Sequence, residues 1–269
     1  MMKLNGKELS FKTFPNGETL VDGEQILTHM TDFNAIYWKY EDDGDLIRLM
    51  FVKSYLDARG ANCSLTIAYM PYSRMDRVEG TSVFTLKAAA AFINSLRFES
   101  VTVIEPHSDV TPALIDRSLT KYPTLQLIGQ VAAEIGFDPE QDYLFFPDAG
   151  AQKRYSKVTG YKQLVGFKER DFRTGDIKSL EVVGQLPAGA FKAIIVDDLC
   201  SYGGTFLRSA EKLKALGATN IYLLVAHCEK SIYKGKLLGS GLIDRVYTTD
   251  TILEPGGHDD IHVYEMGGL

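Results

Sequence analysis

The sequence predicts an α/β fold of two similar domains, each a mainly parallel sheet flanked by helices. Short apolar runs typical of buried strands alternate with longer segments of helical periodicity along the chain. This alternation begins a second cycle near residues 130–142, and no linker rich in Gly, Ser or Pro separates the cycles. We therefore expect one domain over residues 1–130 and another over 131–269, with a single eight-stranded sheet as the alternative.

The individual elements follow from local patterns. Apolar runs predict strands at 34–38, 65–69, 101–104, 143–146, 164–167, 193–196, 221–225 and 245–247. Helical patterns occupy 46–56, 84–96, 125–135, 206–216 and 231–238. Open α/β sheets bind ligands outside the carboxyl ends of their parallel strands. We therefore expect the functional side chains in the loops that follow these runs.

Composition excludes several classes of function. The 269 residues are 45% hydrophobic, enough for one large core or two modest ones, and the formal net charge is −6. A general nucleic-acid surface needs clustered Lys and Arg, and no broad basic stripe is present. No run approaches the roughly 20 apolar residues of a membrane span, and the first residues lack the apolar core of a signal peptide. We expect a soluble cytoplasmic protein without nucleic-acid or membrane partners.

The three cysteines, Cys63, Cys200 and Cys228, lie far apart in the sequence, and two are in or beside predicted strands. Disulfides are not expected in this setting. A packed small residue is the favoured interpretation of Cys200, with a reactive thiol as the alternative.

The most informative stretch is 193–206, where an apolar strand is followed by two adjacent carboxylates, Asp197 and Asp198. At a strand end they are placed to approach ribose hydroxyls or a hydrated Mg²⁺. A turn of small residues then opens a helix, and its backbone N–H groups can form a cup for a phosphate. The residues of this turn, 201–205, are Ser201, Tyr202, Gly203, Gly204 and Thr205. A surface turn rich in Gly and Asp is the simpler alternative.

Two loops of the first half have weaker signals. Phe14, Asn16 and Glu18 fall in a Pro-Asn-Gly turn between alternating segments, which is typical of a hairpin tip. After the strand at 65–69, Arg74 and Arg77 flank Asp76. Two forked guanidinium groups can clamp a polyphosphate, although an exposed loop with internal salt bridges fits equally well.

Two strand ends are candidate cation or anion sites. His107 follows the strand at 101–104 with acidic neighbours, so it is either a structural histidine or a ligand of a hydrated divalent cation. Asp148 follows the strand at 143–146 and precedes a small-residue turn and the basic pair Lys153 and Arg154, a second candidate anion cradle.

The most charged segment is 168–176, which includes Lys168 and Arg170. This segment is either a solvated hairpin tip or a mobile lid. On closing, such a lid would bring its cations to the phosphates and would exclude water during the transfer.

Taken together, the order and spacing of these loops resemble ribose-phosphate diphosphokinases over about residues 14–251. The stretch 193–206 resembles the ribose-phosphate signature of the phosphoribosyltransferase superfamily, with Ser201 and Tyr202 where Asp and Thr are usual. The resemblance implies two phosphoribosyltransferase-like domains, the first binding ATP and the second binding ribose phosphate. It further implies Mg²⁺-dependent transfer of diphosphate from ATP to the C1 hydroxyl of ribose 5-phosphate, releasing AMP.

The resemblance also implies roles for individual residues. Lys168 and Arg170 stabilise the transition state, and His107 and Asp148 are placed at the metal. Asp197 and Asp198 orient the ribose, while the turn 201–205 holds the 5-phosphate. ATP contacts are implied for His107 and for Phe14, Asn16, Glu18, Arg74 and Asp76, the first three reaching the ATP site of a neighbouring subunit in a homo-oligomer.

Departures from the family pattern leave alternatives open. The chain reaches Phe14 almost at once, which implies a first domain shortened at its start. The bulky Tyr202 favours a larger 5-substituted ribose, such as ADP-ribose, as one alternative acceptor. A phosphoribosyltransferase acting on a base and a non-catalytic regulatory subunit are the other readings.

Overall fold

The computed structural model describes residues 1–170, 177–187 and 189–267, with the backbone alone for 168–170 and 177–180. The chain divides into two compact units, Met1–Lys121 and Tyr122–Met266. In the part of the chain that is described, no helix is long and apolar enough to cross a membrane.

The first unit is built around one sheet with the strand order β2-β1-β5-β6-β7-β8. Strands β5 to β8 are mutually parallel, whereas β1 is antiparallel to both β2 and β5. Strands β3 and β4 form a separate antiparallel hairpin. The elements are β1 (Met2–Leu4), β2 (Lys7–Glu8), β3 (Phe11–Thr13), β4 (Thr19–Val21), α1 (Gly23–His29), β5 (Phe33–Trp38), α2 (Gly44–Asp57), β6 (Asn62–Ile67), α3 (Thr85–Ser95), β7 (Val101–Ile104), α4 (Val110–Leu114) and β8 (Ser118–Lys121).

The helices of this unit cover the sheet with apolar faces. Leu49, Val52 and Leu56 on α2 recur at helical spacing and are fully buried. The alanine-rich helix α3 buries Leu86 and Ile93 in the same core. Burial of these faces, rather than helix propensity alone, holds the helices on the sheet.

In the second unit, the described strands form one sheet in the order β11-β10-β9-β12-β13-β14-β15. Neighbouring strands are parallel except β10 and β11, which form an antiparallel hairpin at one edge. The elements are α5 (Pro123–Glu134), β9 (Tyr143–Phe146), α6 (Ala149–Arg154), β10 (Lys162–Arg170), β11 (Ile177–Gly184), β12 (Phe191–Cys200), α7 (Gly204–Ala215), β13 (Ala218–Cys228), a 3₁₀ helix (Lys230–Lys234), β14 (Arg245–Thr249) and β15 (Ile261–Tyr264).

The central strand β12 contains a continuous apolar run because it is buried on both faces of the sheet. Ala193 and Ile195 belong to the apolar cluster on one face of the sheet, and Ile194 and Val196 belong to the cluster on the other. A parallel strand buried on both faces cannot alternate polar and apolar residues. The polar residues of β12 therefore lie outside this run, with Lys192 at the start of the strand and the two carboxylates near its carboxyl end.

The predicted fold class is confirmed, since the structure has two mainly parallel sheets flanked by helices. The single eight-stranded sheet is ruled out by the same topology. The boundary expected after residue 130 falls inside α5, whose Leu127, Ile128 and Val131 pack into the core of the second unit. The chain accordingly divides before this helix, between Lys121 and Tyr122.

The helix predicted at 231–238 is wrong in type and length, because only Lys230–Lys234 is helical, with 3₁₀ geometry. Gly235 ends it where the backbone passes against Tyr202, and a Cβ at Gly235 would lie 2.1 Å from the Tyr202 carbonyl oxygen. This close approach of two backbone segments stops the helix.

The expectation of packed, unbridged thiols is confirmed. Cys63, Cys200 and Cys228 are free and buried. Burial raises the pKa of the Cys63 thiol to about 12. The pKa of Cys200 is raised by a hydrogen bond with the Cys228 thiol and by burial, which argues against a reactive thiolate.

The sheet core of the second unit gives a stability prediction. Phe145 is fully buried on β9, where it pairs with Leu164 and Ile195 on the two neighbouring strands. We expect Phe145→Ala to lower the free energy of unfolding by about 3 to 5 kcal/mol, measured by urea denaturation followed by circular dichroism. The control Phe167→Ala, on a side chain 48% exposed, should cost less than about 1 kcal/mol. Equal losses in the two variants would contradict this account of the core.

Candidate active site

The two adjacent carboxylates lie within the last residues of β12, which runs to Cys200 rather than ending at Val196. Asp197 pairs with Val225 of the parallel strand β13. The Asp198 side chain is 6% exposed and that of Asp197 is 16% exposed. Two nearly buried carboxylates side by side need a compensating charge.

Arg154, the last residue of α6, supplies that charge. Its Nη1 donates to Oδ1 of Asp198 at 2.8 Å and to Oδ1 of Asp197 at 3.4 Å. The Asp198 backbone N–H also donates to Oδ1 of Asp197 at 2.9 Å. The guanidinium therefore fixes the orientation of both carboxylates from a neighbouring helix. The sequence pattern suggested that Arg154 belongs to an anion cradle, and in the structure it forms ion pairs with the two aspartates.

The electrostatics of the pair are asymmetric. Burial raises the pKa of the Asp197 carboxyl well above its ordinary value, and the charge of Asp198 and a hydrogen bond with it add to this rise. Arg154 opposes the rise, whereas the more distant charge of Asp148 reinforces it. An acid perturbed in this way at a strand end is typical of a functional site.

Asp148 has an observed structural role. It is the N-cap of α6, and its Oδ1 accepts the Ala151 N–H at 3.0 Å. The cap fixes the start of the short helix that ends at Arg154. Asp148 thus helps to orient the guanidinium that pairs with Asp197 and Asp198.

The turn 201–205 leads directly from β12 into α7, as the sequence predicts. Gly203 is the N-cap of α7 and has a φ of 83°, in the left-handed region. A Cβ there would lie 2.5 Å from Cδ1 of Leu237, so glycine is required by both conformation and space. A Cβ at Gly204 would meet nothing within 4 Å. The turn is therefore open on the side of Gly204.

The two unusual residues of this turn have distinct surroundings. Tyr202 is 59% exposed, so its ring does not fill the cup. The Ser201 hydroxyl lies 3.0 Å from that of Ser231, and Ser231 donates to Oε2 of Glu229 at 3.1 Å. This hydroxyl chain toward Glu229 was not identified from the sequence, because Glu229 and Ser231 are remote from the motif in the chain.

In the first unit, residues 14–18 form the tip of the β3–β4 hairpin. The Asn16 side chain donates to Oε2 of Glu18 at 2.8 Å and accepts the Glu18 N–H at 3.2 Å. Phe14 is 48% exposed and projects from the same tip. The three residues predicted to act together are thus neighbours on one exposed turn.

The loop after β6 contains Arg74, Asp76 and Arg77. Asp76 is buried, and Arg77 lies 3.4 Å from it and 3.4 Å from Glu79. Arg74 and Arg77 are both exposed. The salt-bridged loop considered as the alternative is therefore observed at Arg77.

His107 follows β7 in a bend and is half-buried. Within residues 1–170, 177–187 and 189–267, no three His, Cys, Asp or Glu side chains are grouped to hold a metal ion. Lys168 and Arg170 lie on β10, where their backbones pair with Leu180 and Ile177 on β11. The rest of the charged segment, 171–176, lies outside the described residues.

The perturbed acid predicts an unusual pH dependence of stability. Because the folded-state pKa of Asp197 exceeds its unfolded value of about 3.9, ionising it costs stability, and the cost grows as pH rises between these two values. We expect Asp197→Asn to raise the unfolding temperature, by more at about pH 7.5 than at about pH 4.5. The control Asp259→Asn, at an exposed position, should change little at either pH. A variant less stable than the native chain at the higher pH would contradict the assignment.

The chain is similar to known proteins over most of its length. A family model described as the phosphoribosyl synthetase-associated domain matches residues 170–261. Ribose-phosphate pyrophosphokinase from Thermococcus kodakarensis is 26% identical over 261 residues, 92% of this chain and 87% of that protein. Ribose-phosphate pyrophosphokinase 2 from Archaeoglobus fulgidus is 29% identical over 251 residues, 90% of this chain and 83% of that protein.

The fold has a solved counterpart in phosphoribosylpyrophosphate synthetase from Mycobacterium smegmatis. The two structures superpose with a TM-score of 0.74 over 96% of this chain and 86% of that one, at 17% sequence identity. The sequence matches extend over nearly the whole chain and the structural match reproduces its fold. Over nearly its whole length, this chain is therefore similar to ribose-phosphate pyrophosphokinases, also called ribose-phosphate diphosphokinases.

Proposed function

We propose that this protein transfers the β,γ-diphosphoryl group of ATP to the C1 hydroxyl of ribose 5-phosphate, giving phosphoribosyl diphosphate and AMP. The observation that carries the proposal is the arrangement of Arg154, Asp197 and Asp198 immediately before an open glycine turn at the start of α7. Nearly full-length similarity to ribose-phosphate pyrophosphokinases supports it. In the reaction, the oxygen of the C1 hydroxyl attacks the β-phosphorus, and the bond from the α,β-bridging oxygen to that phosphorus breaks. AMP leaves, and the proton of the C1 hydroxyl is released.

On the acceptor side, the carboxylates of Asp197 and Asp198 would accept hydrogen bonds from the ribose hydroxyls. Arg154 would hold them in place. The backbone N–H groups of Gly203 and Gly204 and the hydroxyl of Thr205 would bind the 5-phosphate, and the amino end of α7 would favour its negative charge. These contacts hold the sugar so that the C1 hydroxyl is oriented for attack.

On the donor side, the proposed ATP contacts are in the first unit. Arg74 would pair with the phosphates, while Asp76 would bind the nucleotide or its cation. Phe14, Asn16 and Glu18 would serve the ATP site of a neighbouring subunit, since their hairpin is exposed and Phe14 presents an apolar ring to solvent. We therefore propose a homo-oligomer that works in the cytoplasm, where ATP and sugar phosphates are available.

The described residues fit a cation that arrives with its phosphate ligands rather than a dedicated metal cage. Mg²⁺ commonly keeps several waters and uses only one or two protein ligands beside substrate phosphates. His107 is the proposed cation ligand of the first unit and Asp148 that of the second, where Asp148 also caps α6 through one oxygen. When bound, Mg²⁺ would offset the negative charge of the transferring group.

Lys168 and Arg170 are proposed to stabilise the charge that develops on the transferring diphosphoryl group. Their position on a hairpin strand at the sheet edge is compatible with closure over bound substrate. Phosphoryl transfer needs little covalent participation from protein, so positioning and charge compensation supply most of the rate enhancement.

A second acceptor class is favoured by the turn 201–205. Tyr202 is largely exposed at the edge of the cup, and the Ser201 hydroxyl is engaged with Ser231. An exposed aromatic ring there can stack on a base or another ring attached through the 5-phosphate. The alternative acceptor is therefore a larger 5-substituted ribose such as ADP-ribose, with unchanged chemistry at C1.

The deciding experiment is product analysis by mass spectrometry after incubation of the full chain with ATP, Mg²⁺ and either ribose 5-phosphate or ADP-ribose. We expect AMP together with ribose 5-phosphate carrying one added diphosphate. A diphosphorylated product from ADP-ribose alone would instead select the second acceptor class. No AMP with either acceptor would contradict both and favour a base-using phosphoribosyltransferase or a regulatory subunit.

The proposed catalytic cations give a quantitative prediction. We expect Lys168→Ala or Arg170→Ala to raise the barrier by about 3 to 5 kcal/mol, a loss of roughly two to four orders of magnitude in kcat. The affinity for ATP, measured by calorimetry, should change far less, because these cations act mainly on the transition state. The control Lys157→Ala removes an exposed lysine of the same unit and should keep kcat within about twofold. A loss confined to ATP affinity would refute the catalytic assignment.

A further inference from the structure

A carboxylate at the start of α2 receives two phenolic hydroxyl groups. Oδ1 of Asp43 accepts the Tyr40 hydroxyl at 2.6 Å. The Tyr72 hydroxyl donates to the same oxygen. Asp43 is the N-cap residue of α2, yet its side chain caps no helix N–H. The side chain is therefore directed to the two tyrosines rather than to the helix that it begins.

Tyr72 lies in a backbone conformation that residues with a side chain rarely adopt. Its φ is 62°, in the left-handed region, and its carbonyl oxygen accepts the Met75 N–H at 2.9 Å. The next residue, Ser73, is buried, and its hydroxyl lies 3.3 Å from that of Tyr69. A non-glycine residue persists in this region when its surroundings determine its conformation.

Contacts between aromatic rings connect Tyr72 to the core. Trp38, which is fully buried at the end of β5, meets Tyr40 edge to face with ring centroids 5.9 Å apart. Tyr40 in turn meets Tyr72 edge to face at 6.2 Å. The hydrogen bond to Asp43 and the ring contact with Tyr40 thus attach Tyr72 to the start of α2 and to the segment that follows β5.

We propose that Asp43 is a positioning residue for the nucleotide loop, defined as residues 72–77. It fixes Tyr72 in its left-handed conformation, so that Arg74 and Asp76, two and four residues further along the chain, are presented together for ATP. This inference rests on the proposed function only for the identity of the ligand. The attachment itself is independent of any activity.

The electrostatics support this assignment. Hydrogen bonds from Tyr40 and Tyr72 hold the pKa of the Asp43 carboxyl below its usual value. A phenol of ordinary pKa, about 10, already keeps its proton at neutral pH, and the same bond raises the pKa of Tyr72 further. An ionised acceptor and two neutral donors are the combination that gives a strong, charge-assisted contact.

The first test measures the loop without requiring activity. Arg74 and Arg77 are exposed trypsin sites within it. In the ATP-free full chain, we expect Asp43→Ala to raise the rate of cleavage after these residues by about tenfold, because the attachment that restrains the loop is lost. The control Asp42→Ala removes the adjacent exposed carboxylate, which lies 3.6 Å from Arg48, and should leave cleavage unchanged.

The second test measures steady-state kinetics with ATP and ribose 5-phosphate. We expect Asp43→Ala to raise KM for ATP by about tenfold, with KM for ribose 5-phosphate unchanged. Asp43→Asn keeps an acceptor oxygen and should restore most of the ATP affinity. Tyr72→Phe removes only the hydroxyl of the loop residue and should raise KM for ATP by a similar factor. It therefore tests the contact even if the Asp43→Ala variant folds poorly.

The outcomes distinguish a failure of the positioning role of Asp43 from a failure of the proposed function. Unchanged cleavage and unchanged KM for ATP in both Asp43→Ala and Tyr72→Phe would overturn the positioning role. An Asp43→Asn variant as impaired as Asp43→Ala, together with a Tyr72→Phe variant that behaves like the native chain, would assign the effect to the charge at the helix start and would also overturn it. Faster cleavage in a protein whose native form makes no AMP would support the attachment and refute the proposed function instead.

Discussion

The candidate site depends on the contact between Arg154 and two nearly buried carboxylates. Without a cation, Asp197 and Asp198 would repel each other at the end of a strand that is buried on both faces. The guanidinium permits both to lie there and fixes their orientation, while the pKa of Asp197 remains raised. Such a compromise between stability and function is expected if the pair binds substrate as proposed, because groups arranged to bind a substrate commonly destabilise the free protein.

The remaining features of the second unit position this contact. The Asp148 cap begins the short helix α6, and that helix places Arg154 beside β12. After the strand, Gly203 takes a left-handed conformation that starts α7 directly behind the carboxylates. In the first unit, a left-handed Tyr72 likewise follows a parallel strand and begins a loop of candidate ligand-binding residues. Both loops thus contain a residue in the left-handed backbone region near their start.

Much of this architecture could be predicted from the sequence. The bounds of Val101–Ile104 and Tyr143–Phe146 match the prediction to the residue, because largely buried strands leave short runs of mainly apolar residues. Short edge strands such as Lys7–Glu8 have too few residues for a periodic signal. The motif located Asp197 and Asp198, but no local sequence pattern indicates that Arg154 contacts them. Likewise, no local pattern indicates that Asp43 contacts Tyr72. Those contacts are set by how helices pack on the sheet, which sequence spacing alone does not specify.

The measurement that tests this account most directly is the steady-state kinetics of Arg154→Ala with the acceptor varied at saturating ATP. We expect kcat/KM for ribose 5-phosphate to fall by roughly 100-fold. The exposed neighbour variant Gln152→Ala, on the same helix, should behave like the native protein. An Arg154→Ala enzyme that folds and keeps its native kcat/KM for the acceptor would contradict the claim that this arginine holds the ribose-binding carboxylates in place.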